Sequence, residues 1–354
     1  MNVNMAEQSE IISFKDDYSE GGHPAILESL LRHNHGQEEG YGLDRYCLQA
    51  AQSIRSLLDQ PRADIHFVSG GTQANVLVIR SILKPYESVI AASSGHINVH
   101  ETGAIEAVGH KINLVFSPDG KLNPHSVESV LKQHVDEHMV LPRLLYISQS
   151  TEYGSLYSKD ELKGLSRYCR ENELFLYMDG ARLAVALTAD DNDLSLSEIA
   201  GLVDAFYIGG TKNGALLGEA IVLVNPAIQR NFRFVMKQSG ALLAKGRILG
   251  IQFAELFRDD LFFKLGQQAN VRARQLTGGI RDAGFDFKTP PVTNQIFPIL
   301  PVKLIEHLRK KFDFYEWETL EEDRSVIRLV TSWATQESAI GEFIGELNGP
   351  NKVS

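Results

Sequence analysis

The chain has 354 residues, 43% of them hydrophobic, which is enough for a large buried core and for more than one domain. Its formal net charge is −10, from 35 Lys and Arg against 45 Asp and Glu, and it has no basic tract. That balance argues against an electrostatically driven nucleic-acid or anionic-membrane partner and favours a small metabolite.

The polar N-terminus carries Glu7, Glu10, Lys15, Asp16 and Asp17 without an apolar signal core, and no apolar run reaches membrane-spanning length, so a cytoplasmic protein is expected. Residues 1–30 read as an arm, broken by Gly21-Gly22 and Pro24, that runs into a first helix, AILESLLRHN. His33 and His35 have no third ligand near them in sequence and read as solvated loop histidines rather than a metal pair. The loop GQEEGYGLDRY leads into a helix with Leu48, Ala51, Ile54 and Leu58 at helical spacing. Cys47 and Cys169 lie far apart and in no CxxC arrangement, so two buried free thiols are expected.

From residue 65 a strand, turn, helix pattern repeats. IHFVS precedes GGTQAN and a helix; SVIAAS precedes SGHINVHETGAIEAVG; KINLVF precedes a Pro/Gly turn and HSVESVLKQHVDEH. RLLYISQ is followed by STEYGSLYS and a helix whose Ser158 and Glu161 are spaced as a capping box. LFLYMD and AFYIGG are further strands, and EAIVLV follows too closely for a helical crossover, so it should run antiparallel to its neighbour. Alternation of this kind predicts an α/β protein with a mostly parallel sheet and a ligand site at the carboxyl ends of its strands. After a long helical region, about 227–283, GFDFKTP, NQIFPI, FDFYEW and SVIRLVT read as strands, with helices at about 301–311 and 335–347. The expected division is a large domain over 31–254 and a small α+β domain over 255–354.

The residues that can carry chemistry fall in these turns. Lys212 sits between Gly209-Gly210 and Gly214 at the end of an apolar strand, where burial disfavours its charge and leaves the neutral amine that attacks an aldehyde; the bland reading is a surface lysine in a glycine turn. Gly70, Gly71 and Thr72 lie between a strand and a helix, as a phosphate cradle or as a plain tight turn. Neither this segment nor GGTKN matches the dinucleotide or P-loop pattern. Asp179 ends a strand in YMDGAR, where it either pairs with a protonated ring nitrogen or caps a helix. Arg182 offers a fork for a carboxylate or a structural ion pair. His96 can stack on a planar ring or serve as a structural histidine, and its neighbour His100 lacks the HExxH order of a zinc helix.

Taken together, DDYSEGGHP, the YG at 41–42, SGGTQAN, GHINVHETG, YMDGAR, the Lys212 region and RLVT at 328–331 make the chain resemble the pyridoxal-phosphate (PLP) enzymes of the aspartate-aminotransferase-like fold. Within them it resembles the L-threonine aldolase and β-eliminating lyase family. The resemblance implies a mostly parallel seven-stranded sheet in the large domain and a small α+β C-terminal domain. It implies that Lys212 carries the cofactor, that Asp179 pairs with its ring nitrogen, that His96 stacks on the ring, and that Gly70, Gly71 and Thr72 hold its phosphate. Arg182 and Arg328 match positions that grip the substrate carboxylate, Lys237 and Lys245 match basic residues reaching a neighbouring subunit's phosphate, and Tyr41 lies in a loop lent across a homodimer or homotetramer with shared sites. Two departures from the family pattern stand out. Glu152, in Thr151-Glu152-Tyr153-Gly154, replaces a histidine near the substrate hydroxyl, and Asp16-Asp17 replaces a Ser-Asp pair near its carboxylate. The implied activity is cleavage of L-threonine or L-allo-threonine to glycine and an aldehyde, with His96, Glu152 or water as the base; the alternative is β-elimination, or cleavage of a bulkier or more cationic amino acid.

Overall fold

A computed structural model describes residues 11–349 except 322, so the first ten residues of the expected arm lie outside the described residues. The chain opens with β1 (Ile12–Ser13), α1 (Pro24–Arg32) and α2 (Arg45–Leu58). The large sheet and its crossovers follow as β2 (Asp64–Val68), α3 (Gly71–Ile82), β3 (Glu87–Ala92), α4 (His96–Val99), α5 (Ala104–Ala107), β4 (Ile112–Val115), α6 (Pro124–Leu131), β5 (Leu141–Ser148), α7 (Lys159–Glu171), β6 (Phe175–Asp179), α8 (Leu183–Leu187), α9 (Leu196–Leu202), β7 (Ala205–Gly209) and β8 (Glu219–Leu223). Four helices come next: α10 (Pro226–Gln229), α11 (Phe232–Gln238), α12 (Arg247–Leu256) and α13 (Leu261–Asp282). The remainder is β9 (Gln295–Ile296), β10 (Ile299–Pro301), α14 (Val302–Leu308), β11 (Phe312–Asp313), β12 (Tyr315–Glu321), β13 (Arg324–Val330) and α15 (Glu337–Asn348).

The seven-stranded sheet has the order β2-β8-β7-β6-β5-β3-β4, and β8 runs antiparallel to both neighbours while the other pairings are parallel. Side-chain alternation explains why both faces are buried. Leu145 and Ile147 of β5, Leu176 and Met178 of β6, and Phe206 and Ile208 of β7 join one apolar cluster. Leu144 and Tyr146, Tyr177, and Ala205 and Tyr207 join the cluster on the opposite face. The expected capping box at Ser158 and Glu161 starts α7. Both cysteines are buried and free.

A third cluster lies between the C-terminal sheet, in which β13 pairs antiparallel with β9, β10 and β12, and the helices α13, α14 and α15. Here the expected strands need correction. GFDFKTP makes only an isolated bridge, Phe287 to Pro298, because the prolines that follow give it no ladder donors. NQIFPI is split at Pro298 into β9 and β10 for the same reason. The arm returns to this region: β1 pairs in parallel with β11, and Phe14 packs in the third cluster. His33 is half-buried, with its ring 4.7 Å from that of Tyr46, and so is not a solvated loop histidine. Among the described residues no helix is long and apolar enough to cross a membrane.

Candidate active site

The turns after β2, β3, β5, β6 and β7 bring Gly70, His96, Glu152, Asp179 and Lys212 to one rim, the carboxyl ends of the parallel strands. Close packing sets that rim. A methyl group on Gly180 would fall 1.9 Å from the Tyr207 carbonyl oxygen, so the chain leaving Asp179 passes β7 at a distance only glycine permits. Beyond the rim lies a cavity of about 420 Å³, lined among others by Asp16, Tyr18, His96, His100, Glu152, Arg182, Lys212, Tyr315, Trp317 and Arg328.

Asp179 is 4% exposed and fully engaged. Its Oδ1 accepts from the Tyr207 hydroxyl at 2.6 Å and the Ala181 amide at 3.0 Å; its Oδ2 accepts from the Tyr146 hydroxyl at 2.7 Å and Asn75 Nδ2 at 3.2 Å. Burial alone would raise this carboxyl, but His96 and these hydrogen bonds outweigh it and hold it below the usual carboxylate range. Asp179 therefore stays anionic at neutral pH. Asn75 also donates to Glu101 at 2.7 Å, and Glu101 faces His96 Nδ1 at 2.8 Å, which commits that ring nitrogen and leaves Nε2 for proton exchange.

Lys212 is half-buried beside the Tyr18 ring, 5.8 Å from its centroid. Burial and then the Arg182 charge lower its amine below the ordinary lysine value, against the pull of Asp17, Asp179 and Glu219. Glu152 accepts the His96 amide at 3.0 Å and the Ser148 hydroxyl at 2.9 Å. Burial and then Asp179 raise its carboxyl above the ordinary value of 4.5.

The two arginines differ. Arg182 grips Asp17 bidentately, Nε at 2.7 Å and the terminal nitrogen at 3.0 Å, and Asn294 also donates to Asp17 at 2.9 Å. Asp17 is thus 1% exposed and does not line the cavity. Arg328 reaches the Lys15 carbonyl at 3.2 Å and Asp16 at 3.3 Å, lies over the rings of Tyr315 and Trp317, and keeps a buried Nε without a partner among the described residues.

Gly71 begins α3, a helix whose N-terminus has no side-chain cap. A Cβ on Gly71 would meet the Tyr207 hydroxyl at 3.0 Å, so the cradle and Asp179 share one tyrosine. Tyr41, Lys237 and Lys245 are not brought to the Lys212 cavity. Lys237 lies 4.2 Å from the Tyr41 ring centroid, Arg233 donates to the Tyr41 carbonyl at 3.1 Å, and the Tyr41 amide donates to Ala244, next to Lys245. All three residues are exposed there. Tyr146, Tyr177, Tyr207, Asn75, Glu101 and Glu219 escape the sequence reading; the spacing of Tyr177 from Asp179, same face of one strand, is the signal that points to the tyrosine cluster.

Comparison with known proteins agrees with this architecture. The profile of the β-eliminating lyase family matches residues 14–301. A low specificity L-threonine aldolase from a Pseudomonas species is 33% identical over 97% of this chain and 98% of its own length, and one from Pseudomonas aeruginosa is 33% identical over 94% and 95%. The structure of a Leishmania major threonine aldolase superposes with a TM-score of 0.94 at 48% identity, covering 95% of this chain and 98% of that one. An aspartate aminotransferase from Thermus thermophilus, at 15% identity and a TM-score of 0.70 over 95% and 91% of the two chains, shares the fold. The chain belongs to the β-eliminating lyase family and is a pyridoxal-phosphate-dependent lyase.

Proposed function

We propose that the chain cleaves a β-hydroxy-α-amino acid, L-threonine or L-allo-threonine, between Cα and Cβ to give glycine and an aldehyde. The observation that carries this reading is the convergence of a lowered amine, Lys212, and a buried anionic carboxylate, Asp179, on one cavity that also holds an incompletely paired arginine, Arg328. The residues fit pyridoxal phosphate. Lys212 would hold its aldehyde carbon, the uncapped start of α3 at Gly70, Gly71 and Thr72 its phosphate, Asp179 its ring nitrogen and His96 its ring face. When bound, pyridoxal phosphate supplies the sink for the electron pair left on Cα.

The chain's own residues supply the rest. Arg328 lines the cavity with a single, long side-chain hydrogen bond, to Asp16 at 3.3 Å, and so has guanidinium donors to offer the substrate carboxylate, whereas Arg182 is held by Asp17 and adds positive potential to the same wall. Fixing that carboxylate orients the Cα–Cβ bond for cleavage. The β-hydroxyl proton must leave as that bond breaks, and Glu152 and His96 Nε2 are the groups able to take it, directly or through water; Cα then regains a proton to form glycine. The carboxylates that would favour a more cationic substrate are engaged by the protein: Asp16 with Arg328, and Glu152 with the His96 amide and Ser148. Tyr41, Lys237 and Lys245 are read as residues lent to a partner's site in a homodimer or homotetramer.

Product analysis tests the reaction class. Purified, PLP-loaded protein given a panel of L-amino acids should form glycine and the matching aldehyde from threonine isomers. Pyruvate and ammonia from serine-type substrates, without glycine from threonine, would place the chain among the β-eliminating enzymes instead.

A further inference from the structure

Glu219 opens β8 and is 5% exposed. In the ladder it pairs with Gly209 at the end of β7 and with Val68 at the end of β2. It therefore stands between the two loops that leave those strands, one holding Gly70 to Thr72 and the other Lys212. The Gly210 amide donates to a Glu219 carboxylate oxygen at 2.9 Å and to the Gly218 carbonyl at 3.0 Å, and the Thr211 hydroxyl oxygen accepts the Gly218 amide at 3.0 Å, so the turn that carries Lys212 is tied to the head of β8. The other residues of β8 are buried and apolar.

A carboxylate at this place is costly to bury. An uncharged acceptor such as glutamine would satisfy the Gly210 amide equally well, so the charge calls for a separate reason. The titratable groups that face Glu219 are Lys212 from the turn, Asp179 and Tyr177 from β6, and Tyr207 from β7. Burial brings the Glu219 carboxyl up to about 7 against the hydrogen bonds from Thr211 and Gly210 and then the Lys212 charge, which pull it down; Glu219 in turn raises the Lys212 amine against the effect of burial. The two groups form one electrostatic balance in which a proton gained by Lys212 favours its loss from Glu219.

We propose that Glu219 is a positioning residue that fixes the Lys212 turn through the Gly210 amide and sets the charge on the Lys212 amine. The proposal concerns two protein groups, and its deciding measurement does not rest on the PLP reading. Competitive acetylation of Lys212 with trace acetic anhydride, followed by mass spectrometry from neutral to alkaline pH, reads the amine's titration midpoint in cofactor-free, full-length protein. E219Q keeps the acceptor and removes the charge, so it should lower that midpoint by about one pH unit, the size of a single close charge removed from a buried site. E219A should show the same shift and, having also lost one of the two acceptors of the Gly210 amide, should retain pyridoxal phosphate several-fold more weakly. In loaded protein the pH midpoint of the cofactor's visible absorbance should fall in E219Q as well. An acetylation midpoint in E219Q equal to that of the unsubstituted chain overturns the proposal, whatever happens to activity. Failure of the unsubstituted chain to retain PLP would count against the cofactor reading, and the acetylation result would still decide the role of Glu219.

Discussion

At the scale of single residues, the two arginines make opposite predictions although both line the same cavity. Removing Arg182 leaves the Asp17 carboxylate buried and uncompensated, a change of the kind that costs about 3–5 kcal/mol. Arg182→Ala should therefore lower the thermal unfolding midpoint of cofactor-free protein. Arg328→Met should lower that midpoint less, because its partner Asp16 is less buried than Asp17 and meets one guanidinium nitrogen at 3.3 Å, and should raise KM for threonine at least about tenfold, because a charge-assisted contact to substrate is lost. Equal effects of the two substitutions on stability would contradict this division.

Glu152 adds a pH test. Its folded-state pKa is raised, so the ionised form costs stability once the pH climbs above the unfolded value, and Glu152→Gln should raise the unfolding midpoint at neutral pH. As the base it must be ionised, so kcat should rise with pH through a limb lying above 4.5, and Glu152→Gln should abolish that limb and cut kcat about a hundredfold. An unchanged profile assigns the proton to His96 or water.

Lys212 and Asp179 are legible because each ends an apolar strand beside glycines. Asn75, Tyr146 and Tyr207 are not, since their convergence on Asp179 depends on which strands are neighbours, and that follows from the pairing of distant segments.

At the scale of elements, the alternating strand and helix signals carry most of the seven-stranded sheet and its crossovers, and the antiparallel β8 follows from its short connection alone. The C-terminal strands are harder to read. Their ladders are short, Pro298 interrupts one of them, and β1 adds to them from the far end of the sequence. The contact between α3 and β7 is the element-level feature with the clearest consequence. In Gly71→Ala the new methyl group presses on the Tyr207 hydroxyl that donates to Asp179, so both the cradle and the ring-nitrogen contact are disturbed. PLP affinity, measured by equilibrium dialysis, should fall about tenfold, the loss expected from one compromised charge-assisted hydrogen bond, while far-UV circular dichroism stays unchanged. Unaltered affinity would mean that the start of α3 does not hold the phosphate.

For the whole molecule, Tyr41, Lys237 and Lys245 cluster at an exposed place apart from the Lys212 cavity, which supports their assignment to a partner's site in a symmetric oligomer. Co-refolding Lys212→Ala with Lys237→Ala, each impaired alone, should regenerate about a quarter of the unsubstituted activity, the statistical yield of sites intact in mixed dimers. No recovery above the sum of the two variants would confine each site to one chain.

The central claim is that Lys212, held at the carboxyl rim beside Asp179, makes this chain an aldolase. It is tested most directly by following acetaldehyde release from L-threonine by PLP-loaded protein, with Lys212→Ala as the control. The unsubstituted chain should release acetaldehyde and glycine in equal amounts, and Lys212→Ala should show neither turnover nor the cofactor's lysine-dependent visible band. Undiminished acetaldehyde release by Lys212→Ala would contradict the claim.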